Sequence, residues 1–285
     1  MILNLNWVFV AELFGIGLLS GALGSLLGIG GGIINVPFIL QLGALPSVAR
    51  SAGLILSSIT GISSFVTHKR SKTISFKELV PFIPWALIGV FIGVGFQFFF
   101  KLLFPSVNYS VVFKSIFLVV LLISLYKMLK QRVFDHRKHP EQGREEQKEK
   151  INPKIEKCYF KALISIPGGF LAGLLGIGGG IYYGPILKTV VKYPIKKAIP
   201  ISSGLIAISV PTGAILSNAI FLLTHRYNLF YQSLIISAFI GVGTLVGVYL
   251  GVLVFKKLKS SVLNFIYILL ILFNSVKLFM SIFIR

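Results

Sequence analysis

The segment Leu27-Gly28-Ile29-Gly30-Gly31-Gly32-Ile33, followed by Pro37, lies in a stretch, 13–49, with no Asp, Glu, Lys, Arg or His. It recurs as Leu175-Gly176-Ile177-Gly178-Gly179-Gly180-Ile181, followed by Pro185, in a second such stretch, 162–187. Glycines and prolines keep one spacing, 148 residues (176 − 28 and 185 − 37). Each glycine inside a helix costs about 1 kcal/mol relative to alanine. Three in a row, with a proline five residues on, predict a broken helix in each copy. In hydrocarbon, an unwound backbone is tolerated only where protein buries it or it lines a cavity. The two motifs are therefore expected to face each other, or to face water, at the centre of a bundle.

The rest of the chain supplies that bundle. It is 55% hydrophobic and only 13% charged, with a mean hydropathy of +0.88. Soluble domains carry about 25% charged residues, so too little polar surface remains to coat a water-soluble globule. Further charge-free runs cover 51–67, 79–100, 198–224 and 227–255, while 107–126 and 260–284 each hold one lysine, Lys114 and Lys277. A bilayer core of ~30 Å needs about 20 apolar helical residues. The runs are continuous rather than alternating, unlike β-barrel strands. The fold class expected is an all-α integral membrane protein of about eight transmembrane helices. They fall near 7–28, 47–67, 79–101, 107–128, 158–176, 198–223, 228–255 and 259–283. The segments 33–45 and 181–191 read as short re-entrant helices.

Residues 127–161 form the one long hydrophilic stretch, with eleven Lys/Arg and six of the eight acidic residues. It divides the chain into a first transmembrane repeat (1–130), a charged, cytoplasmic linker (131–157) and a second transmembrane repeat (158–285). Ser51-Ala52-Gly53-Leu54 is similar to Ser202-Ser203-Gly204-Leu205, and Gly89 and Gly93 parallel Gly243 and Gly247. Each repeat therefore reads as four helices with a Gly-rich break followed by Pro. The net charge of +20 sits at span ends and in the linker, as expected of a cell-membrane, multi-pass protein, and no nucleic-acid partner is expected. In a simple eight-span count, Lys69 and Arg70 fall on the opposite side from Lys196, Lys197, Lys256 and Lys257. Inverted repeats, each with an odd number of crossings, reconcile the two groups.

A broken helix exposes unpaired N–H groups at the start of its second half. The partial positive charge there favours an anion, and glycine allows close approach to the backbone. The candidate substrate-binding residues are Gly28, Gly30, Gly31, Gly32, Asn35 and Pro37, with Gly176, Gly178, Gly179, Gly180, Tyr183 and Pro185. Asn35 and Tyr183 occupy equivalent positions. Ser51, Ser202 and Ser203 join them as hydroxyl donors, and Ser57, Ser58, Thr60, Ser209 and Thr212 lie on the same two helices. A single hydroxyl more often bonds its own helix backbone. Arg50 reads either as an anion attractor at a helix mouth or as a span anchor.

Only Glu12 and Glu78 lie outside the linker among the acids. Glu12 is either a proton-coupling site or an interfacial residue; Glu78, beside Lys77, reads as interfacial. So few carboxylates argue against a cation pump or channel. His136 and His139 lack a second ligand cluster, so no metal site is expected. No catalytic motif or Walker loop is present, and the glycine run lacks the strand–turn–helix of a dinucleotide site. No enzyme activity and no cofactor are expected. Cys158, the single cysteine, allows no internal disulfide.

At residues Gly21–Gly32 with Pro37, and Gly169–Gly180 with Pro185, the chain resembles the TauE/SafE family, the sulfite exporter or toluene-sulfonate uptake permease family. The resemblance covers nearly the whole chain except the linker. It implies a two-repeat bundle of seven to eight helices that exports or takes up small sulfur-containing or organic anions, such as sulfite, sulfonates or sulfoacetate. The second copy departs from the pattern at Tyr182-Tyr183-Gly184, where aliphatic residues are common. The expectation is a secondary transporter moving a small anion by alternating access, coupled to protons or sodium. The alternatives are a passive anion channel or a non-transporting membrane scaffold subunit.

Overall fold

The structure, a computed structural model, describes residues 7–70, 76–104 and 158–283, together with part of 111–130. Among the described residues every regular element is helical. The first half contains α1 (Trp7–Leu27), the short α2 (Gly32–Gln41), α3 (Pro46–Arg70) and α4 (Ile83–Leu103). The second contains α5 (Cys158–Leu175), the short α6 (Gly180–Thr189), α7 (Ile195–Leu223), α8 (Tyr227–Lys257) and α9 (Ser260–Phe283). The expected helix 107–128 and the linker 131–157 lie largely outside the described residues. Helix α4 starts four residues later than expected, because Pro81 precedes it and Pro84 occupies its first turn, where a missing N–H costs nothing.

Among the described residues, five helices are long and apolar enough to cross a membrane: 9–27, 46–70, 83–100, 195–223 and 227–257. Their polarity is arranged for a lipid solvent. Phe91, Ile92, Phe96 and Phe99 of α4 and Leu245, Val246 and Tyr249 of α8 point outward. Arg50, Ser51, Ser57, Thr60, Ser64 and His68 of α3 are buried. A polar side chain in a spanning helix is costly against hydrocarbon, so it turns toward the bundle interior.

Glycines set how the helices pair. Gly17 and Gly21 of α1 lie against Ile240 and Thr244 of α8, while Gly243, Gly247 and Gly251 of α8 lie against Phe14, Leu18 and Ala22. Partner numbers rise together, so α1 and α8 run parallel. Helices α4 and α5 pair the same way: Gly89 and Gly93 meet Ile166, Phe170 and Leu174, and Gly169 and Gly173 meet Ala86, Val90 and Val94. At each contact the backbones are too close for a side chain at the glycine, the packing that small residues permit in membranes.

Helices α3 and α7 cross at the centre with the opposite sense. Arg50 bonds Ser217 (2.7 Å), Gly61 abuts Ile206, and Ser64 bonds Ser203 (3.2 Å). One number falls as the other rises, so this pair is antiparallel. The basic ends consequently share a face of the molecule. Lys197, near the start of α7, pairs with Glu78 at 3.0 Å, just beyond α3. The His68 ring in the last turn of α3 stacks edge-on against Phe255 in the last turn of α8 (4.9 Å between centroids).

Candidate functional site

Each glycine motif is the tip of a helical hairpin. In the second half, α6 folds back along α5. Gly179 lies against Ala172 and Gly168, the Tyr183 ring covers Gly168, and the Tyr183 phenol donates to the Ser165 carbonyl (3.1 Å). In the first half, Gly31 at the start of α2 lies beside Ser20 and Gly24 of α1. Both turns use one backbone. Gly28, Gly30 and Gly31 have φ of 65°, 82° and 71°, and Gly176, Gly178 and Gly179 have 73°, 80° and 72°. That left-handed region penalises any residue with a β-carbon, which explains glycine at those positions. The intervening Ile29 and Ile177 are buried in the core.

The break therefore lies at the glycines. Pro37 and Pro185 sit inside the short helices, each five residues after the last glycine. There each proline withholds the N–H that would have bonded the carbonyl four residues earlier, Ile33 or Ile181. The N-caps are Gly31 and Gly179, which offer no side-chain bond to the first turn.

The two tips meet. A β-carbon built on Gly32 would lie 2.6 Å from the Ile177 α-carbon and 2.8 Å from the Gly176 carbonyl oxygen. The reciprocal contact holds between Gly180 and Gly28–Ile29. Each tip is seated on the opposite half's long helix: Gly28 against the Ile199 backbone and Gly176 against the Arg50 backbone. Ser202 donates to the Gly28 carbonyl at 2.6 Å, while Gly53 presses against the Gly176 carbonyl. These contacts pair Gly53 with Ser202 and shift the register between α3 and α7 by two residues from the Gly53–Gly204 match that sequence likeness gives.

The candidate polar residues separate into two groups. Ser58, Thr60, Ser209 and Thr212 bond carbonyls of their own helices. Ser202 ties the first tip to α7, Ser203 accepts from Ser64, and Tyr183 is spent within its hairpin. These are structural bonds. The Asn35 amide and the Ser51, Ser57 and Ser165 hydroxyls are buried with no hydrogen-bond partner among the described residues. An unsatisfied buried polar group costs about 1–3 kcal/mol, so such a group points to a ligand or water that completes it.

Of these, Ser57 is the most informatively placed. Its Oγ would be 2.7 Å from a β-carbon on Gly32 and 3.1 Å from one on Gly178. One hydroxyl thus touches both motifs at the point where the N-termini of α2 and α6 converge.

Arg50 is only 2% exposed. It is no mouth residue: it donates to the Gly173 carbonyl (2.9 Å) and to Ser217 Oγ (2.7 Å). Gly173 belongs to the last turn of α5, whose partial negative charge a cation offsets. Gly173 and Ser217 are both neutral partners. Glu12, in contrast, is exposed on α1. Tyr267 of α9 had no signal beyond being a polar-tipped residue in an apolar run; its phenol donates to the Gly180 carbonyl at 3.0 Å and braces the second tip.

A polytopic helical bundle with two glycine-tipped hairpins meeting among buried polar groups defines the class: a multi-pass membrane protein. The chain belongs to the family described as sulfite exporter TauE/SafE, whose model matches residues 13–278. It is similar to a probable membrane transporter protein of Methanocaldococcus jannaschii, 30% identical over 250 residues, covering 86% of this chain and 85% of that one. It is also similar to a probable membrane transporter protein of Bacillus subtilis, 32% identical over 214 residues, covering 70% and 75%. No solved structure matches it.

Proposed function

We propose that the protein is a secondary transporter that moves a small anion, of the sulfite, sulfonate or sulfoacetate class, across the cytoplasmic membrane by alternating access. The single observation that carries this reading is the meeting of the two glycine tips over Ser57, deep in a bundle that also buries Arg50. Helix N-termini and a buried cation select negative charge. Among the polar groups left unbonded, the Asn35 amide N–H and the Ser51 and Ser57 hydroxyls are donors that an oxyanion can satisfy.

The halves act as inverted repeats. With each glycine hairpin entering and leaving on one side, an odd number of full crossings per half inverts the second half. Parallel pairing of α1 with α8 and of α4 with α5, and antiparallel crossing of α3 with α7, support this arrangement. The face carrying Lys69, Arg70, Lys196, Lys197 and Lys256 is the cytoplasmic one. Close packing of Gly32 on Gly176 and of Gly180 on Gly28 supports a carrier over an open channel.

The test is flux in proteoliposomes containing the purified protein. Uptake of sulfite or a small sulfonate that saturates, and that a pH or sodium gradient drives uphill, supports the reading. Flux that neither saturates nor runs uphill makes the protein a channel. No flux of either anion through folded protein returns it to a scaffold role.

A further inference from the structure

Each glycine tip is preceded by a helix whose last-turn carbonyl is held by a basic side chain of α3. In the second hairpin, Arg50 at the start of α3 donates to the Gly173 carbonyl (2.9 Å). Ser25 is the matching residue of the first hairpin, 148 positions earlier (173 − 25). Its carbonyl accepts from the ring of His68, in the last turn of α3. The two clamps differ in one property. A guanidinium does not give up its proton in a protein, whereas imidazole gains and loses one near neutral pH.

The surroundings of His68 are those of a controlled site. The ring is fully buried in a spanning helix, edge-on to Phe255 of α8 at 4.9 Å between centroids. Among the described residues no other histidine or carboxylate is buried: Glu12 and His225 are exposed, and Glu78 is half-buried in its pair with Lys197. Thr224-His225-Arg226 repeats Thr67-His68-Lys69 by letter, yet His225 lies beyond the end of α7, beside Tyr227 (3.2 Å). The charge that acts on His68 from α8 is Lys256. Lys69 and Arg70, which follow it on α3, and Lys257 on α8 are exposed. Helix α1 bears one charge, Glu12, near its other end, and α7 begins with Lys196 and the paired Lys197. An ionisable group inside a spanning segment is expensive and marks an ion or proton path.

We propose that His68 is the proton-binding site that couples the carrier to a pH gradient, acting on the first glycine tip through the Ser25 carbonyl. This rests on the anion-carrier reading above and names its coupling ion. Ser25 is three residues before Gly28, and its hydroxyl also ties the turn to the Val248 carbonyl of α8 (3.2 Å). The Gly28 carbonyl accepts from Ser202 of α7 (2.6 Å). A proton taken from water on one side forms an N–H bond on the ring and leaves to water on the other side, with no other bond changed. Its arrival or departure alters the carbonyl end of α1 by a full charge, and with it the hold of α3 on the first tip. The second tip, held by Arg50, keeps its charge throughout.

The test uses methanesulfonate, which does not titrate near neutral pH, in proteoliposomes with the membrane potential clamped. Uptake is read with a pH gradient of each sign and with equal pH on both sides. Each pH unit is worth about 10-fold accumulation per coupled proton, and the wild type is expected to approach that for one sign of the gradient. His68→Gln keeps an N–H for the Ser25 carbonyl but cannot titrate, and is expected to lose the difference between gradient and equal-pH uptake. The triple variant His136→Gln, His139→Gln, His225→Gln is expected to keep it. In that triple variant His68 is the single histidine, so the NMR signals of isotope-labelled ring nitrogens report its protonation directly. Reciprocal coupling requires saturating methanesulfonate to move its transition to a different pH. Wild-type gradient response in His68→Gln overturns the proposal. So does a ring transition at one pH with and without the anion, whether or not His68→Gln folds. Saturable uptake that sodium drives and pH does not overturns it and leaves the carrier standing. Absence of saturable flux of both methanesulfonate and sulfite in the wild type overturns the carrier reading, and this inference with it.

Discussion

Gly32 and Gly176, from opposite halves of the chain, are in backbone contact: a β-carbon on Gly32 would sit 2.8 Å from the Gly176 carbonyl oxygen and 2.7 Å from Ser57 Oγ. The pseudo-equivalent Gly180 meets Gly28 in the same way. A single methyl group at either position must therefore part the two tips. Gly32→Ala and Gly180→Ala are expected to reduce thermal stability in detergent, in the range of about 1–3 kcal/mol typical of overpacking, and to abolish flux. Wild-type stability and flux in both would show that the tips are not packed as described.

Gly31 and Gly179 test conformation rather than contact. Both cap a short helix with φ near 70°. Asparagine tolerates that region better than other residues with a β-carbon. Gly31→Leu and Gly179→Leu are expected to abolish uptake while membrane insertion, followed by protease protection of the loops, stays intact. Gly31→Asn is expected to retain a measurable fraction of uptake. Equal uptake in the Leu and Asn variants would remove the backbone turn from the mechanism.

Arg50 and Ser217 fasten one end of the α3–α7 crossing. Ser217→Ala leaves one guanidinium N–H without its 2.7 Å acceptor, and is expected to cost about 1–3 kcal/mol of stability. Arg50→Met removes the internal positive charge and is expected to lower the apparent affinity for a transported anion by at least about 10-fold, measured from uptake against concentration. Affinity unchanged in Arg50→Met would make the residue a purely structural clamp on α5.

The other end of the crossing offers a lock. Ser64 Oγ and Ser203 Oγ are 3.2 Å apart. In a Cys158→Ser background, Ser64→Cys combined with Ser203→Cys is expected to form a disulfide under mild oxidation. If α3 must move against α7 in the cycle, oxidation stops uptake and reductant restores it. Full uptake by the cross-linked protein would rule out motion at this contact.

Much of this architecture was legible in the sequence, for identifiable reasons. Charge-free runs mark spanning helices because lipid excludes charge, and all five long apolar helices fall on runs read from the sequence. The short helices after Gly32 and Gly180 were legible because triple glycine is so costly in a helix. The need to shelter an unwound backbone left two placements open, the tips facing each other or facing water, and the structure has them facing each other. Which hydroxyls matter was not legible. Ser57 and Ser58 are neighbours of one type, yet Ser58 bonds the Leu54 carbonyl while Ser57 turns toward the glycines, a difference set by which side of α3 faces the tips. Arg50 read as a mouth or span-end residue because it follows an apolar run; only the antiparallel crossing of α7 brings Ser217 to it. The two-residue register between α3 and α7 was hidden because Ser51–Leu54 and Ser202–Leu205 match better by letter than by contact.

The central claim, that the anion sits where the glycine tips meet over Ser57, is tested most directly by substrate protection of that position. In the Cys158→Ser background, Ser57→Cys is treated with a negatively charged methanethiosulfonate reagent in proteoliposomes, with and without a transported anion. Modification that blocks uptake, and that the anion slows in proportion to its occupancy, is the predicted result. Modification that proceeds at one rate with and without a saturating transported anion would place the binding site elsewhere.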